Sequence, residues 1–153
     1  YLHSFVATNN DLTRVENTGH NRAINRHQWA LDELIGLLND AKSQHARCLQ
    51  AIKQLIDMRQ GQPAFHPNAT QFTLNCGRSI FGFWRQSPDR AQSVFCLYNV
   101  TPTSTTIAAA SLNLVGSDSW RDLISGETVD LFSEDPSIEL APYQAVWLTN
   151  TMT

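Results

Sequence analysis

The chain has 153 residues, 42% of them hydrophobic and 16% charged, with a formal net charge of −3. That balance suits one packed domain, or one small domain with an appendage, and excludes global disorder. An acidic chain offers no overall attraction to nucleic acid or to an anionic membrane surface, and no apolar run approaches the length of a membrane span.

Residues 1 to 29 show no sustained periodicity and carry Asn9, Asn10, Asn17, Asn21, Asn25 and Gly19, so they read as a long loop. Residues 30 to 60 read as helical. Leu31, Leu34, Ile35 and Leu38 fit a short amphipathic helix ending near Asn39-Asp40, and Ser43 is a fitting N-cap for a second helix to about Gln60. On that second helix Leu49, Ile52, Leu55 and Ile56 form an apolar face beside Cys48, which has to be buried against something. Gly61 is its stop signal.

Pro63 and Pro67 mark a boundary. Beyond it the chain reads as β throughout, with segments at Phe72–Leu74, Ile80–Trp84, Val94–Tyr98, Thr105–Ala109, Trp120–Ile124, Thr128–Phe132 and Ala145–Leu148. Turn signals at Ser87-Pro88-Asp89, Thr101-Pro102, Gly116-Ser117 and Ser125-Gly126 separate them. Short strands about ten residues apart imply an antiparallel sandwich or barrel.

Cys48, Cys76 and Cys96 are odd in number and widely spaced, which points to free buried thiols in a reducing, cytoplasmic setting. His3, His20, His27, His45 and His66 lack the spacing of a helical zinc site, and no metal or other cofactor is expected. No Gly-x-Ser-x-Gly or Gly-rich phosphate loop occurs, and Asp11, Glu16, Asp32 and Glu33 do not announce a general acid. Asn68 and Asn99 match the short glycosylation pattern, which is frequent by chance. The aromatics Phe81, Phe83, Trp84, Phe95, Tyr98, Trp120, Tyr143 and Trp147 read as sandwich core rather than as a sugar-stacking platform. The chemistry-bearing stretch is 19 to 27, where Arg22 and Arg26 stand among Asn and His. Each guanidinium is a fixed fork of five donors suited to carboxylates, phosphates or sugar hydroxyls. Spacing leaves two readings open, a solvated basic loop or a ligand pocket.

Asn10-Asp11-Leu12, Thr18, Arg22 and Ile24-Asn25-Arg26-His27 resemble the segment after the last barrel strand in sucrose phosphorylases of glycoside hydrolase family 13. Trp29 stands where that family has an aromatic, and the helix running into Arg59 to Phe65 resembles the last barrel helix. Val94–Asn99, Trp120–Gly126 and Leu140–Leu148 are similar to strands of the family's C-terminal domain. The resemblance covers essentially the whole chain. It implies an α+β fragment, with 1–62 the end of a (β/α)8 barrel and 63–153 an all-β antiparallel, sandwich-like domain. It further implies part of a retaining glucosyl-transferring phosphorylase that forms a covalent glucosyl-enzyme and passes the sugar to phosphate, giving glucose 1-phosphate. The three catalytic carboxylates would lie on barrel strands outside this chain, which alone would be inactive; the missing barrel, an α-glucoside and inorganic phosphate would be its partners. Arg22 matches the family's donor-site arginine, while Asn25, Arg26 and His27 match residues that shape the loop. Ala23 departs from the polar or acidic residue that sucrose phosphorylases carry there, which favours a sister enzyme acting on glucosylglycerate or sucrose 6-phosphate. The alternative is a stand-alone β-sandwich module, binding carbohydrate or another partner, with a helical arm.

Overall fold

The computed structural model describes residues 2–112, 119–129 and 136–150. The chain divides into two compact units, Tyr1–Asp57 and Met58–Thr153.

The first unit is helical from its start. It holds α1 (Leu2–Phe5), α2 (Leu12–Thr18), a 3₁₀ turn at Asn21–Asn25 and α3 (Leu31–Asn39); α4 (Gln44–Gln60) begins in it and ends just beyond it. The expected loop over 1 to 29 is therefore corrected: it contains two short helices and a 3₁₀ turn. The cause is local. The Arg14 amide donates to the Asp11 carboxylate at 2.9 Å, capping α2, and Gly19, at φ 65°, closes the helix by donating to Val15 O. A left-handed C-terminal residue is the usual demand for glycine. The two later helices fall where the apolar spacing places them, and Ser43 caps α4 by accepting from the Ala46 amide at 3.0 Å.

This unit has almost no core of its own. Among its described residues only Val6, Ala23 and Leu34 are buried apolar side chains, whereas the second unit has sixteen. Leu2, Phe5, Leu12, Leu31, Ile35 and Ile56 are exposed, and α4 has no buried residue at all. No residue of the face expected to need cover on α4 is fully buried: Cys48, Leu49, Ile52 and Leu55 are partly covered, and Ile56 is exposed.

The second unit is all antiparallel. After a 3₁₀ turn at Pro63–Phe65 come β1 (Thr70–Leu74), β2 (Ile80–Gln86), β3 (Ser93–Asn99), β4 (Thr105–Ala108), β5 (Trp120–Asp122), β6 (Thr128–Val129), β7 (Ser137–Leu140) and β8 (Ala145–Thr149). Six strands form one sheet in the order β1-β2-β3-β8-β5-β6, and β4 pairs with β7 in a second. Register follows the pleat. On one face of the large sheet Ile80, Phe95, Leu97, Val146 and Leu148 join Ile107, Ile138 and Leu140 of the small sheet and Trp120 in one cluster, as alternation in half-buried strands requires. On the other face Val94, Cys96, Trp147 and Thr149 are buried together with Ala64 and Phe65 of the proline-bounded turn, whose Phe65 ring lies 5.1 Å from that of Trp147.

Three strand expectations change. The segment at Trp120 ends at Asp122 because that carboxylate turns the chain: it accepts from the amides of Ile124, Ser125 and, across the sheet, Trp147. The segment at Thr128 is a strand only to Val129, its remainder and the Gly116-Ser117 turn lying outside the described residues. The strand Ser137–Leu140, with Ile138 and Leu140 alternating inward, was not expected. Among the aromatics, Phe95, Trp120 and Trp147 are buried, but Phe81 is 54% and Tyr143 69% exposed, so neither is core. Phe81 lies on the pleat face opposite the cluster, and Tyr143 occupies a tight turn at φ 58°. Asn99 is buried, its amide donating to Thr103 O, Leu140 O and Ala141 O; a side chain so engaged is not a glycosylation acceptor. All three cysteines are free, and burial pushes the Cys96 thiol up to about 12.

Candidate functional site

The arginine-bearing turn is built onto α2. The Asp11 amide donates to Ile24 O at 2.7 Å, and the Gly19 amide returns the chain after α2. Between these two ties the turn Asn21–Asn25 is closed by Ala23 N–H to His20 O and Arg26 N–H to Ala23 O. Ala23 is its one buried residue. The neighbours of Ala23 therefore point outward.

Arg22 and Arg26 line a pocket of about 410 Å³ with Arg14, Thr18, His20, Asn21 and Ala23. Both arginines are exposed, and neither guanidinium has a hydrogen bond or ion pair among the described residues. Arg14 is different, since it donates to Gln28 Oε1 at 3.1 Å. Three guanidinium groups around one concavity, two of them with every donor uncommitted, make a site for an oxygen-rich or anionic ligand. Among the described residues no carboxylate lines it. Asn25 is exposed, and its side chain makes no hydrogen bond among the described residues.

His27 faces away from that pocket into a network. Its Nδ1 donates to Asp11 Oδ2 at 3.0 Å, and its ring edge meets Trp29 at 4.6 Å. Trp29 in turn meets the His45 ring at 5.2 Å and donates from Nε1 to Thr8 Oγ1 at 3.0 Å. His45 anchors the far end by donating from Nδ1 to Val6 O at 2.6 Å. The Arg14 amide, and after it the His27 ring, hold the Asp11 carboxyl below its usual range. Asp11, Thr8, Trp29 and His45 carry this geometry, and sequence reasoning did not assign it to them. The legible signal was Asp11 seven residues before the end of a short helix that Gly19 terminates. The ring contacts have no sequence signature.

A concavity of about 810 Å³ lies along α3 and α4, lined by Leu38, Cys48 and Leu49 and by the polar Gln44, Arg47 and Lys53. Most of its lining belongs to the single helix α4, and it reads as helix surface. Among the described residues no group of three or more His, Cys, Asp or Glu could hold a metal, and no helix is long and apolar enough to cross a membrane.

No model of a known protein family matches the chain. Its fold is that of the C-terminal part of amylase-like enzymes. An Anoxybacillus α-amylase aligns over 85% of this chain and 26% of its own at a TM-score of 0.63 and 15% identity. AmyP in complex with maltose aligns over 71% and 21% at 0.60 and 18%. Sequence narrows the class. The chain is 31% identical to the glucosylglycerate phosphorylase of Spirochaeta thermophila over 97% of its length and 26% of the relative's. It is 32% identical to that of Escherichia coli over 97% and 24%. It is thus homologous to a C-terminal part of these phosphorylases and spans about a quarter of the length of the curated relatives it matches. The resemblance to sucrose phosphorylase-like enzymes of glycoside hydrolase family 13 stands, and the barrel itself is not in this chain.

Proposed function

We propose that the chain is part of a retaining phosphorylase that cleaves an α-glucoside of glycerate with inorganic phosphate, and that Arg22 binds the glucosyl ring in its donor site. Residues 1–62 would be the loop after the last barrel strand and the final barrel helices, and 63–153 the C-terminal domain. The observation that carries the reading is the Arg22 guanidinium, without a partner among the described residues and held on a closed turn that lines a pocket.

Several features support it. The first unit has three buried apolar residues and an α4 with none, as expected of a piece whose cover is another part of the same protein. The relatives that match are glucosylglycerate phosphorylases, and Ala23 departs from the residue type of sucrose phosphorylases. In barrel enzymes the loops at the C-terminal strand ends build the active site, which suits an arginine in the loop after the last strand. An arginine there donates to the hydroxyls of the sugar and leaves bond cleavage to a carboxylate nucleophile and a carboxyl acid/base elsewhere. Among the described residues no carboxylate lines the Arg22 pocket, and the chain alone would be inactive. His27 would shape the loop through its bond to Asp11, and Arg26 through its amide to Ala23 O; the Asn25 side chain has no hydrogen bond among the described residues with which to do so.

The test is kinetic, on the complete enzyme. Replacing one charged hydrogen-bonding partner of a bound sugar costs about 1.5–3 kcal/mol, so Arg22→Ala should lower kcat/KM for glucosylglycerate by about ten- to a hundredfold. Wild-type kinetics in Arg22→Ala would remove Arg22 from the donor site.

A further inference from the structure

The Arg22 turn has no buried charge and little core beneath it. Something must nevertheless fix it, because a guanidinium on a mobile arm spends binding energy on its own ordering. One residue makes three ties that converge on it. The Asp11 amide donates to Ile24 O at 2.7 Å, two residues beyond Arg22. Asp11 Oδ1 accepts from the Arg14 amide at 2.9 Å, fixing the helix on which the turn rests. Asp11 Oδ2 accepts from His27 Nδ1 at 3.0 Å, closing the chain after the turn. The His27 ring is then stopped from rotating by the edge contact with Trp29, itself held by Thr8 and by His45.

We infer that Asp11 is a positioning residue for Arg22: its carboxylate joins the start of α2 to His27 and so sets where the Arg22 fork stands. This rests on the placement of Arg22 in the donor site. Two functions of one side chain can be separated here. The helix cap needs only an oxygen near the Arg14 amide, which serine supplies. The bond to His27 needs the second carboxylate oxygen, which serine lacks. Asp11→Ser therefore keeps the cap and cuts the tie. His27→Phe cuts the same tie from the other side and keeps an aromatic edge on Trp29.

The experiment is a double-mutant cycle in the complete enzyme, with phosphorolysis of glucosylglycerate as the readout. Asp11→Ser should lower kcat/KM by about tenfold or more, since a misplaced positioning group costs up to about a hundredfold. The double variant Asp11→Ser/His27→Phe should lose no more than either single variant. In an Arg22→Ala background Asp11→Ser should have no further effect, because it acts through Arg22. Wild-type kinetics in Asp11→Ser, or the same loss with and without Arg22, would overturn the inference and leave the donor-site reading intact. Unchanged donor kinetics in Arg22→Ala would instead remove that reading, and this inference with it. If Asp11→Ser does not fold, His27→Phe with and without Arg22 carries the same decision.

Discussion

Asp122→Ala would strip three amides of their acceptor at once. Asp122 is 4% exposed. Its Oδ1 accepts from Trp147 N–H at 2.8 Å and Ile124 N–H at 3.1 Å, and its Oδ2 from Ser125 N–H at 3.0 Å. The Trp147 amide is buried and belongs to β8, so it has no access to water. Leaving one buried donor unsatisfied costs about 1–3 kcal/mol. The other two are partly exposed and can recover part of their loss from solvent, which places the total at about 3–5 kcal/mol. Asp122→Asn is the control: it keeps one acceptor for two of the amides and sets an NH2 against the third, for about 1–2 kcal/mol. Urea unfolding followed by tryptophan fluorescence reads both, since Trp120 and Trp147 flank the site. A loss under about 1 kcal/mol in Asp122→Ala would refute the claim that this carboxylate holds β5, β8 and the following turn together.

Other outcomes follow from single contacts. At Gly82 an added Cβ would lie 2.8 Å from Cys76 Sγ and 3.2 Å from Leu97 Cδ2. Gly82→Ala should thus cost about 1–3 kcal/mol, and Cys76→Ala in the same chain should restore part of it; no loss in urea unfolding would contradict this close approach. The Cys96 thiol, raised by burial from 9.0 to about 12, favours the folded state while protonated. Its contribution is full below the ordinary thiol value and is lost as pH rises from there toward the folded value, so unfolding should become easier above pH 9.0. A thiol reagent should leave Cys96 untouched in the native chain at neutral pH and modify it after unfolding; native labelling of Cys96 would show that β3 is open.

The β unit was largely legible because its strands alternate on a half-buried sheet, and because turns such as Ser87-Pro88-Asp89 and Ser125-Gly126 separate them. Ser137–Leu140 escaped because four residues with two inward positions, Ile138 and Leu140, are too short for a period to register. The helices at Leu12 and Leu2 escaped for the same reason. Both are too short for an apolar period to register, and the one at Leu12 is set by its caps, Asp11 and Gly19. The face of α4 was visible in the sequence, but its packing was not, since the described residues cover it only in part. At the site, the sequence motif singled out Arg22 and its neighbours. Only the structure distinguishes their surroundings: among the described residues Arg22 and Arg26 have no partner, while His27 is tied to Asp11.

The account turns on whether this chain completes a glucosyl-transferring phosphorylase. The direct measurement is 31P NMR of the complete enzyme given glucosylglycerate and inorganic phosphate, with the 153-residue chain alone in parallel. The complete enzyme should form α-glucose 1-phosphate with retention, its Arg22→Ala variant much less, and the chain alone none. Phosphorolysis by the chain alone, or no glucose 1-phosphate from the complete enzyme, would contradict it.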